Sequence, residues 1–238
     1  MSEPASFRAE AAGAEAAGLP GPDAEAAGGP GPEAAPDAAA WDRRYADREL
    51  LWTAEPNRFV ADATRDLTPG RALDLAAGEG RNAVWLAERG WQVTAVDFST
   101  VGLAKARQLA ARRGVTVAWV TADLVEWEPP RAAFDLVVIA YLHAGPRLLA
   151  TVLERAVDAL APGGTLVVVG HDVDNLEHGH GGPPDPALLY TVDGLAGALS
   201  GLTIVRAEQV RRPVDLDDGT RVDALDALVV ARRPDQPR

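Results

Sequence analysis

Apolar positions in the larger, C-terminal part of the chain follow two alternating patterns. Short apolar runs, such as residues 71–77 and 134–140, have the length and composition of buried strands. Between residues 147 and 160, apolar side chains recur every three or four positions, which is typical of a helix with one buried face. Because the run 134–140 is almost continuously apolar, it predicts a strand that is covered on both faces.

The two patterns together predict seven strands and six helices. We expect strands over residues 71–77, 91–96, 115–120, 134–140, 165–170, 202–210 and 222–231. We expect helices over residues 41–51, 57–66, 82–89, 101–113, 147–160 and 192–199. Glycines at positions 90 and 114 are placed to end two of these helices.

The order of these elements predicts an α/β fold. Strands that alternate with helices form an open, mostly parallel sheet with helices on both faces. Only a turn around Gly219 separates the last two strands, so they are expected to form an antiparallel hairpin at one edge. In such sheets, ligands bind beyond the carboxyl ends of the strands.

The first 40 residues have a different composition. Ala, Gly or Pro occupies 27 of these 40 positions, and large apolar side chains are rare. Over residues 1–39, seven acidic residues against one arginine leave a net charge of -6, which is half of the total. Such a segment gains little from burial to offset its ordering entropy. The sequence thus predicts a disordered acidic tail over residues 1–40 and one domain over residues 41–238.

Charge and composition narrow the possible functions. The chain of 238 residues carries a formal charge of -12, which disfavours binding to a phosphate backbone and therefore predicts no nucleic-acid partner. It has no cysteine, which excludes disulfides, thiolate metal sites and a cysteine nucleophile. No apolar run approaches the roughly 20 residues of a membrane span, and the start does not resemble a secretory signal. We therefore expect a cytoplasmic protein without a membrane partner.

Polar residues and glycines follow three neighbouring strands where each strand ends. Gly78 and Gly80 come after the first strand and allow a tight turn against a ligand. Asp97 follows the second strand and is placed to accept hydrogen bonds from ribose hydroxyls. After the third strand, the Asp123 carboxylate can accept a hydrogen bond from an amine, and the Leu124 backbone can pair with an adenine edge. This arrangement predicts a nucleoside lying across three strand ends.

Charge at the first loop distinguishes between two adenosine ligands. Residues 78–83 match the dinucleotide pattern G-x-G-x-x-A, and Asp97 fits its ribose acid. A pyrophosphate here would lie beside Glu79 and near Asp74, and each contact between like charges costs about 1 kcal/mol in water. Arg81 offsets only part of this repulsion. A ligand that carries a sulfonium and an ammonium group is attracted instead, so the sequence favours S-adenosylmethionine over NAD.

The segment 71–99 resembles the cofactor-binding region of class I S-adenosylmethionine-dependent methyltransferases, through Asp-x-x-x-Gly-x-Gly and Asp97. More narrowly, residues 80–87 and 90–97 are similar to the tellurite-resistance and thiopurine methyltransferase-like branch. Residues 41–45 and 56–59 are similar to the N-terminal cofactor cover of that branch. The resemblance implies a Rossmann-like fold with a seven-stranded, mostly parallel sheet.

The resemblance also implies roles for individual residues. Asp74 would lie near the amino group of the cofactor, Asp97 at the ribose, and Asp123 with Leu124 at the adenine. The expected cofactor-binding set is Asp74, Gly78, Gly80, Asn82, Asp97, Phe98, Asp123, Leu124 and Ala140. One position departs from the family, because the chain has Ala76-Ala77 where Gly-Cys or Gly-Ala is common.

Methyl transfer by in-line displacement needs alignment of donor and acceptor, and it requires no metal. Tyr141, His143 and His171 follow the fourth and fifth strands and are the candidate catalytic residues. The polar loop 171–182 is expected to act as a substrate lid, and its His178 and His180 lack a fixed scaffold for a metal. Residues 139–143 do not form the Asn/Asp-Pro-Pro-aromatic motif of DNA amino-methyltransferases. A small-molecule or inorganic acceptor, such as a thiol or a chalcogen oxyanion, is therefore expected.

Two other function classes remain open. One is an NAD(P)-dependent oxidoreductase with the same fold, and the other is a cofactor-binding regulator without transferase activity. The sequence does not determine the methyl acceptor, the use of a general base or the oligomeric state.

Overall fold

The computed structural model describes residues 37–51, 53–216 and 218–235. Its helices are α1 (Ala38–Ala46), α2 (Arg58–Thr64), α3 (Arg81–Glu88), α4 (Thr100–Arg113), α5 (Pro146–Ala159), α6 (Asn175–His178) and α7 (Val192–Ala198). Its strands are β1 (Arg71–Leu75), β2 (Gln92–Asp97), β3 (Ala118–Thr121), β4 (Phe134–Ala140), β5 (Leu160–His171), β6 (Thr203–Asp215) and β7 (Arg221–Arg232).

The strands form one seven-stranded sheet in the order β3-β2-β1-β4-β5-β7-β6. Neighbours from β3 to β5 pair in parallel, whereas β7 is antiparallel to both β5 and β6. The Rossmann-like, mostly parallel sheet with an antiparallel edge hairpin is thus confirmed. Chain order reverses between β1 and β4, which is the point where such sheets bind ligands.

Both faces of the sheet are buried. Alternate residues of β4 enter different cores, with Val137 and Ile139 in one and Leu136 and Val138 in the other. This division follows from the period of two in a strand, and it explains why the run is apolar at nearly every position.

Several element boundaries differ from the predicted ones. Helix α1 begins at Ala38, inside the segment assigned to the tail, because the Asp37 side chain accepts a hydrogen bond from the Ala40 amide and caps the helix. The predicted tail over residues 1–36 lies outside the described residues. Strand β5 begins at Leu160, earlier than expected. In the part of the chain that the structure describes, the longest helices have 14 residues, and none is long and apolar enough to cross a membrane.

Candidate cofactor-binding site

A cavity of about 380 Å³ lies at the carboxyl ends of the central strands. It is lined by residues of α1 and by the loops that follow β1, β2, β3 and β4. The lining residues are Asp37, Ala38, Trp41, Tyr45, Ala76, Ala77, Gly78, Glu79, Arg81, Asn82, Asp97, Phe98, Asp123, Leu124, Ala140, Tyr141, Leu142, His143, Ala144 and Leu148. Its volume is near the lower end of the range for ligand pockets, about 300–1,000 Å³.

Asp97 connects the first two loops of the cavity. Its Oδ2 accepts a hydrogen bond from the Gly78 amide at 2.8 Å, and its Oδ1 accepts one from the Ser99 amide at 2.8 Å. Burial raises the pKa of Asp97, and the backbone hydrogen bonds oppose this shift. Carboxylate oxygens can each accept more than one hydrogen bond, so Asp97 can hold the loops and still receive a ligand hydroxyl.

Asp123 and Leu124 form the third loop of the cavity. The Oδ1 of Asp123 accepts a hydrogen bond from the Val125 amide at 2.7 Å, which fixes a turn directly after β3. Leu124 is buried, and Phe98 lies on the neighbouring loop of the same cavity. The structure thus brings all three predicted strand-end loops to one cavity.

The two glycines after β1 have different surroundings. Gly78 lines the cavity, and a Cβ placed on it would lie 2.6 Å from the Tyr45 hydroxyl. Gly80 was predicted to contact the cofactor, but it is not among the residues that line the cavity. A Cβ on Gly80 would lie 2.7 Å from both Ala106 and Trp119, so its role in the structure is close packing of the start of α3 against α4 and β3.

Asp74 is buried in β1 and is not among the residues that line the cavity. Its carboxylate accepts a hydrogen bond from the Ala83 amide, whereas its Oδ2 has no hydrogen-bond partner among the described residues. Desolvation by burial, together with the charge of Asp97, raises the pKa of Asp74 to about 7.

We expect Asp74 to make folding stability depend on pH. Its pKa is about 7 in the folded chain against an ordinary 3.8, so the folded state keeps a proton that the unfolded chain releases. Stability therefore decreases as the pH rises from about 4 to about 7, by up to about 4 kcal/mol from this group. Asp74→Asn removes this loss, and urea unfolding at pH 5 and pH 8 will measure it. Parallel pH profiles for the variant and the wild type would contradict the prediction.

Glu79 lines the cavity, but its charge is compensated. Its carboxylate lies 3.2 Å from the Nζ of Lys105 and also accepts a hydrogen bond from the Leu51 amide. The Nζ of Lys105 also donates hydrogen bonds to the carbonyls of Tyr45 and Arg48. The sequence argument that Glu79 repels a pyrophosphate is therefore wrong, because an ion pair with the single lysine neutralises this carboxylate. The other carboxylates that line the cavity are those of Asp37, Asp97 and Asp123.

Helix α1 covers one side of the cavity and is attached to the start of α4. The Asp42 carboxylate accepts hydrogen bonds from the Ser99 and Thr100 hydroxyls and from the Val101 amide. These bonds lower the pKa of Asp42, the Ser99 bond most. Trp41 and Tyr45 from the same helix line the cavity, with ring centroids 5.5 Å apart.

Ala76 lines the cavity in a left-handed conformation, with φ at 60°. It occupies the position where the resembling family has glycine, and an alanine in this region costs about 1 kcal/mol. We expect Ala76→Gly to raise the free energy of unfolding by about 0.5–1 kcal/mol, as measured in urea.

Ala132 is a matched control for this substitution. It is exposed, has φ at 50° and is not among the residues that line the cavity. Ala132→Gly is expected to stabilise the fold by a similar amount. A destabilised Ala76→Gly variant beside a stabilised Ala132→Gly variant would show that the Ala76 methyl group contributes to packing.

The three candidate catalytic residues occupy different environments. Tyr141 and His143 line the cavity. The Nδ1 of His143 lies 2.8 Å from the Leu188 carbonyl, so it carries the proton, and Nε2 accepts a hydrogen bond from the His171 amide at 3.3 Å. His171 is only 1% exposed and is not a lining residue. Its predicted contact with substrate is therefore not supported, because the loop at Gly182 packs directly against its ring.

Three residues that the sequence analysis did not select lie behind Tyr141, namely Asn57, Arg212 and Asp226. Each of them is buried, and each contacts the Tyr141 hydroxyl. The signal available in the sequence was Asp226, an acidic residue inside the apolar run 224–231. A buried carboxylate in a central strand needs a specific partner, which the sequence does not identify.

The loop after β5 is anchored at Asn175, and its role as a substrate lid stays a prediction. The Asn175 side chain is buried, accepts a hydrogen bond from the Leu225 amide and donates to the carbonyls of His180 and Gly181. Residues 171–182 contribute no lining residue to the cavity. Within the described segments, no group of three or more His, Asp or Glu side chains could hold a metal ion.

Comparison with known proteins finds methyltransferases that are similar to part of the chain. Residues 72–164 match the family model described as a methyltransferase domain. The chain is 39% identical over 123 residues to demethylmenaquinone methyltransferase of Thermus thermophilus, covering 51% of this chain and 54% of that protein. It is 33% identical over 155 residues to trans-aconitate 2-methyltransferase of Sinorhizobium fredii, covering 63% and 56%. The chain thus spans about half the length of these curated relatives.

Solved structures share the fold. One, from work on the conversion of a disulfide bond into a thioacetal group during echinomycin biosynthesis, has a TM-score of 0.67 at 22% identity, covering 84% of this chain and 94% of that one. The N-methyltransferase NodS of Bradyrhizobium japonicum, in complex with S-adenosylhomocysteine, has a TM-score of 0.62 at 20% identity, covering 83% and 98%.

The narrower branch named in the sequence analysis stays a prediction. TehB of Haemophilus influenzae has a TM-score of 0.61 at 16% identity, covering 73% of this chain and 61% of that one, which shows the fold alone.

Proposed function

We propose that this chain, whose residues 72–164 match the family model described as a methyltransferase domain, transfers a methyl group from S-adenosylmethionine to a small acceptor. One observation carries the proposal. The matched segment contains all the loops after β1 to β4 that line the cavity, from Ala76 to Leu148.

The cavity residues fit the two halves of the cofactor. Asp97 would bind the ribose hydroxyls, and Asp123 with the Leu124 backbone would hold the adenine beside Phe98. Arg81 is the only arginine or lysine among the described lining residues, so it would pair with the α-carboxylate of the amino-acid end. Bound S-adenosylmethionine supplies an electrophilic methyl group.

Charge also favours this cofactor over a dinucleotide. Asp37, Asp97 and Asp123 line the cavity. Two phosphate charges among these carboxylates would be repelled, and Arg81 alone would not compensate for them. An NAD(P)-dependent oxidoreductase is therefore the less favoured alternative.

The surroundings of His143 favour an acceptor that needs no general base. Both of its ring nitrogens are engaged by backbone groups, so the lone pair that a base would use already accepts the His171 amide. A soft nucleophile such as a thiolate or a chalcogen oxyanion can attack without losing a proton to the protein. In this reaction the described residues align the two reactants and exclude water beneath α1.

Ligand binding and methyl transfer test the proposal separately. Binding to the native state raises the melting temperature, so S-adenosylhomocysteine is expected to raise it and NAD is not. Labelled methyl transfer is then screened with thiols, chalcogen oxyanions and small phenols as acceptors. Stabilisation by NAD alone would support the oxidoreductase. Binding of S-adenosylhomocysteine without transfer to any acceptor would support a cofactor-binding regulator.

The role of Arg81 can be tested with two ligands. We expect Arg81→Gln to weaken binding of S-adenosylhomocysteine by about tenfold or more, because the substitution removes a charge-assisted hydrogen bond that contributes about this much to the affinity. 5′-Methylthioadenosine has no carboxylate, so its affinity is expected to change less than about twofold. Calorimetry with both ligands measures the difference. An equal loss for the two ligands would place Arg81 away from the amino-acid end.

A further inference from the structure

The side chain of Tyr141 is held by three elements that are distant in sequence. Its hydroxyl donates a hydrogen bond to the Asp226 Oδ2 at 2.7 Å. It accepts hydrogen bonds from the Nε of Arg212 at 3.2 Å and from the Nδ2 of Asn57 at 3.3 Å. The phenol thus joins the end of β4 to the cap of α2 and to both strands of the C-terminal hairpin.

The backbone at Tyr141 adopts a conformation that a large side chain rarely takes. Its φ is 59°, in the left-handed region. Such a conformation persists only where the surrounding structure enforces it. At Tyr141 it turns the chain directly after β4, so that Ala140 and residues 141–144 line the cavity.

The partners of Tyr141 form a buried ion pair. The Nε of Arg212 lies 3.0 Å from the Asp226 Oδ2, and the two side chains are 6% and 0% exposed. The same Asp226 carboxylate lies 3.3 Å from the Nδ1 of His171. A buried ion pair is often no more stabilising than a well-packed apolar pair of similar size, so overall stability alone does not account for it. Its geometric consequence is the fixed position of Tyr141.

We propose that Arg212 and Asp226 are positioning residues for the cofactor. Through the Tyr141 hydroxyl they hold the turn 140–144 in the shape that receives the amino-acid end of S-adenosylmethionine. This inference rests on the proposed function. It assigns part of the cofactor affinity to the edge hairpin, whose strands lie outside the matched methyltransferase segment.

The test replaces both charges at once, because removing one would leave the other buried without its partner. The double variant Arg212→Met/Asp226→Leu removes the pair, and Tyr141→Phe removes only the hydroxyl. The matched control is the exposed pair on the same hairpin, Arg211→Met/Asp223→Leu, whose Arg211 Nη1 and Asp223 Oδ2 are 3.4 Å apart. Arg212→Lys keeps the charge and serves as the conservative variant.

Affinities for S-adenosylhomocysteine and 5′-methylthioadenosine are measured by calorimetry, and melting temperatures are measured alongside. We expect the buried double variant to fold and to bind S-adenosylhomocysteine about tenfold more weakly, and Tyr141→Phe about threefold more weakly. 5′-Methylthioadenosine lacks the amino-acid end, so its affinity is expected to stay within about twofold in every variant. The exposed pair variant should remain close to the wild type. Arg212→Lys keeps the charge but lacks the Nε that donates to the Tyr141 hydroxyl, so its loss of affinity is expected to lie between that of the wild type and that of the buried double variant.

The possible outcomes separate the inference from the proposed function. A parallel loss for both ligands would show a purely structural role and would overturn the inference. Unchanged binding of S-adenosylhomocysteine in the buried double variant would overturn it as well. If the double variant does not fold, the affinities measured for Tyr141→Phe, which keeps the ion pair, decide between these outcomes. A wild-type chain that binds neither ligand would overturn the proposed function and this inference together.

Discussion

Asp97→Ala is expected to weaken binding of S-adenosylhomocysteine by at least about 100-fold, since hydrogen bonds to a charged group contribute about 1.5–3 kcal/mol each. The substitution removes the acceptor proposed for the ribose hydroxyls. It also removes the acceptors of the Gly78 and Ser99 amides, which hold two loops of the cavity. Calorimetry with S-adenosylhomocysteine measures the loss.

Two further variants define what the Asp97 result means. Asp97→Asn keeps one carbonyl oxygen, so its loss of affinity is expected to be smaller, about tenfold. Asp62→Ala, on the exposed surface of α2, is expected to leave the affinity unchanged. If the affinity of Asp97→Ala is within about threefold of the wild-type value, a difference of about 0.7 kcal/mol or less, the ribose is held elsewhere and the proposed binding mode is wrong.

Gly80→Ala is expected to lower the free energy of unfolding by about 2–4 kcal/mol, which combines left-handed strain with overpacking. Gly80 has φ at 78°, and a Cβ there would lie 2.7 Å from the Ala106 Cβ and from the Trp119 ring. Neither neighbour is the end of a flexible chain, so the two helices and β3 would have to move apart. Urea unfolding measures the change.

Gly114→Ala separates strain from crowding. Gly114 has φ at 68°, close to that of Gly80, but an added Cβ would have no neighbour within 4 Å. We expect this variant to lose only about 1 kcal/mol, the conformational cost of alanine in this region. Equal losses of unfolding free energy in the two variants would show that crowding against Ala106 and Trp119 does not add to the cost of a side chain at position 80.

The sequence determined the sheet, its edge hairpin and the position of the cavity. Strand identity follows from local apolar periodicity, and parallel strands bring their carboxyl ends to one edge. For this reason Gly78, Asp97, Asp123 and Leu124, which were predicted from three separate loops, all line one cavity. A periodic pattern also predicts which face of an element is buried, since it depends only on neighbouring positions in the chain.

Only the tertiary structure decided which polar groups pair with one another. Lys105 neutralises Glu79 across 26 positions of sequence, and Tyr141 reaches Asp226 across 85. The same packing buries His171 outside the cavity and leaves one oxygen of Asp74 without a partner among the described residues. The charge state and hydrogen-bond partners of a buried side chain depend on groups that come near it only when the chain folds. A local pattern of residues does not specify those contacts, because the groups are distant in sequence.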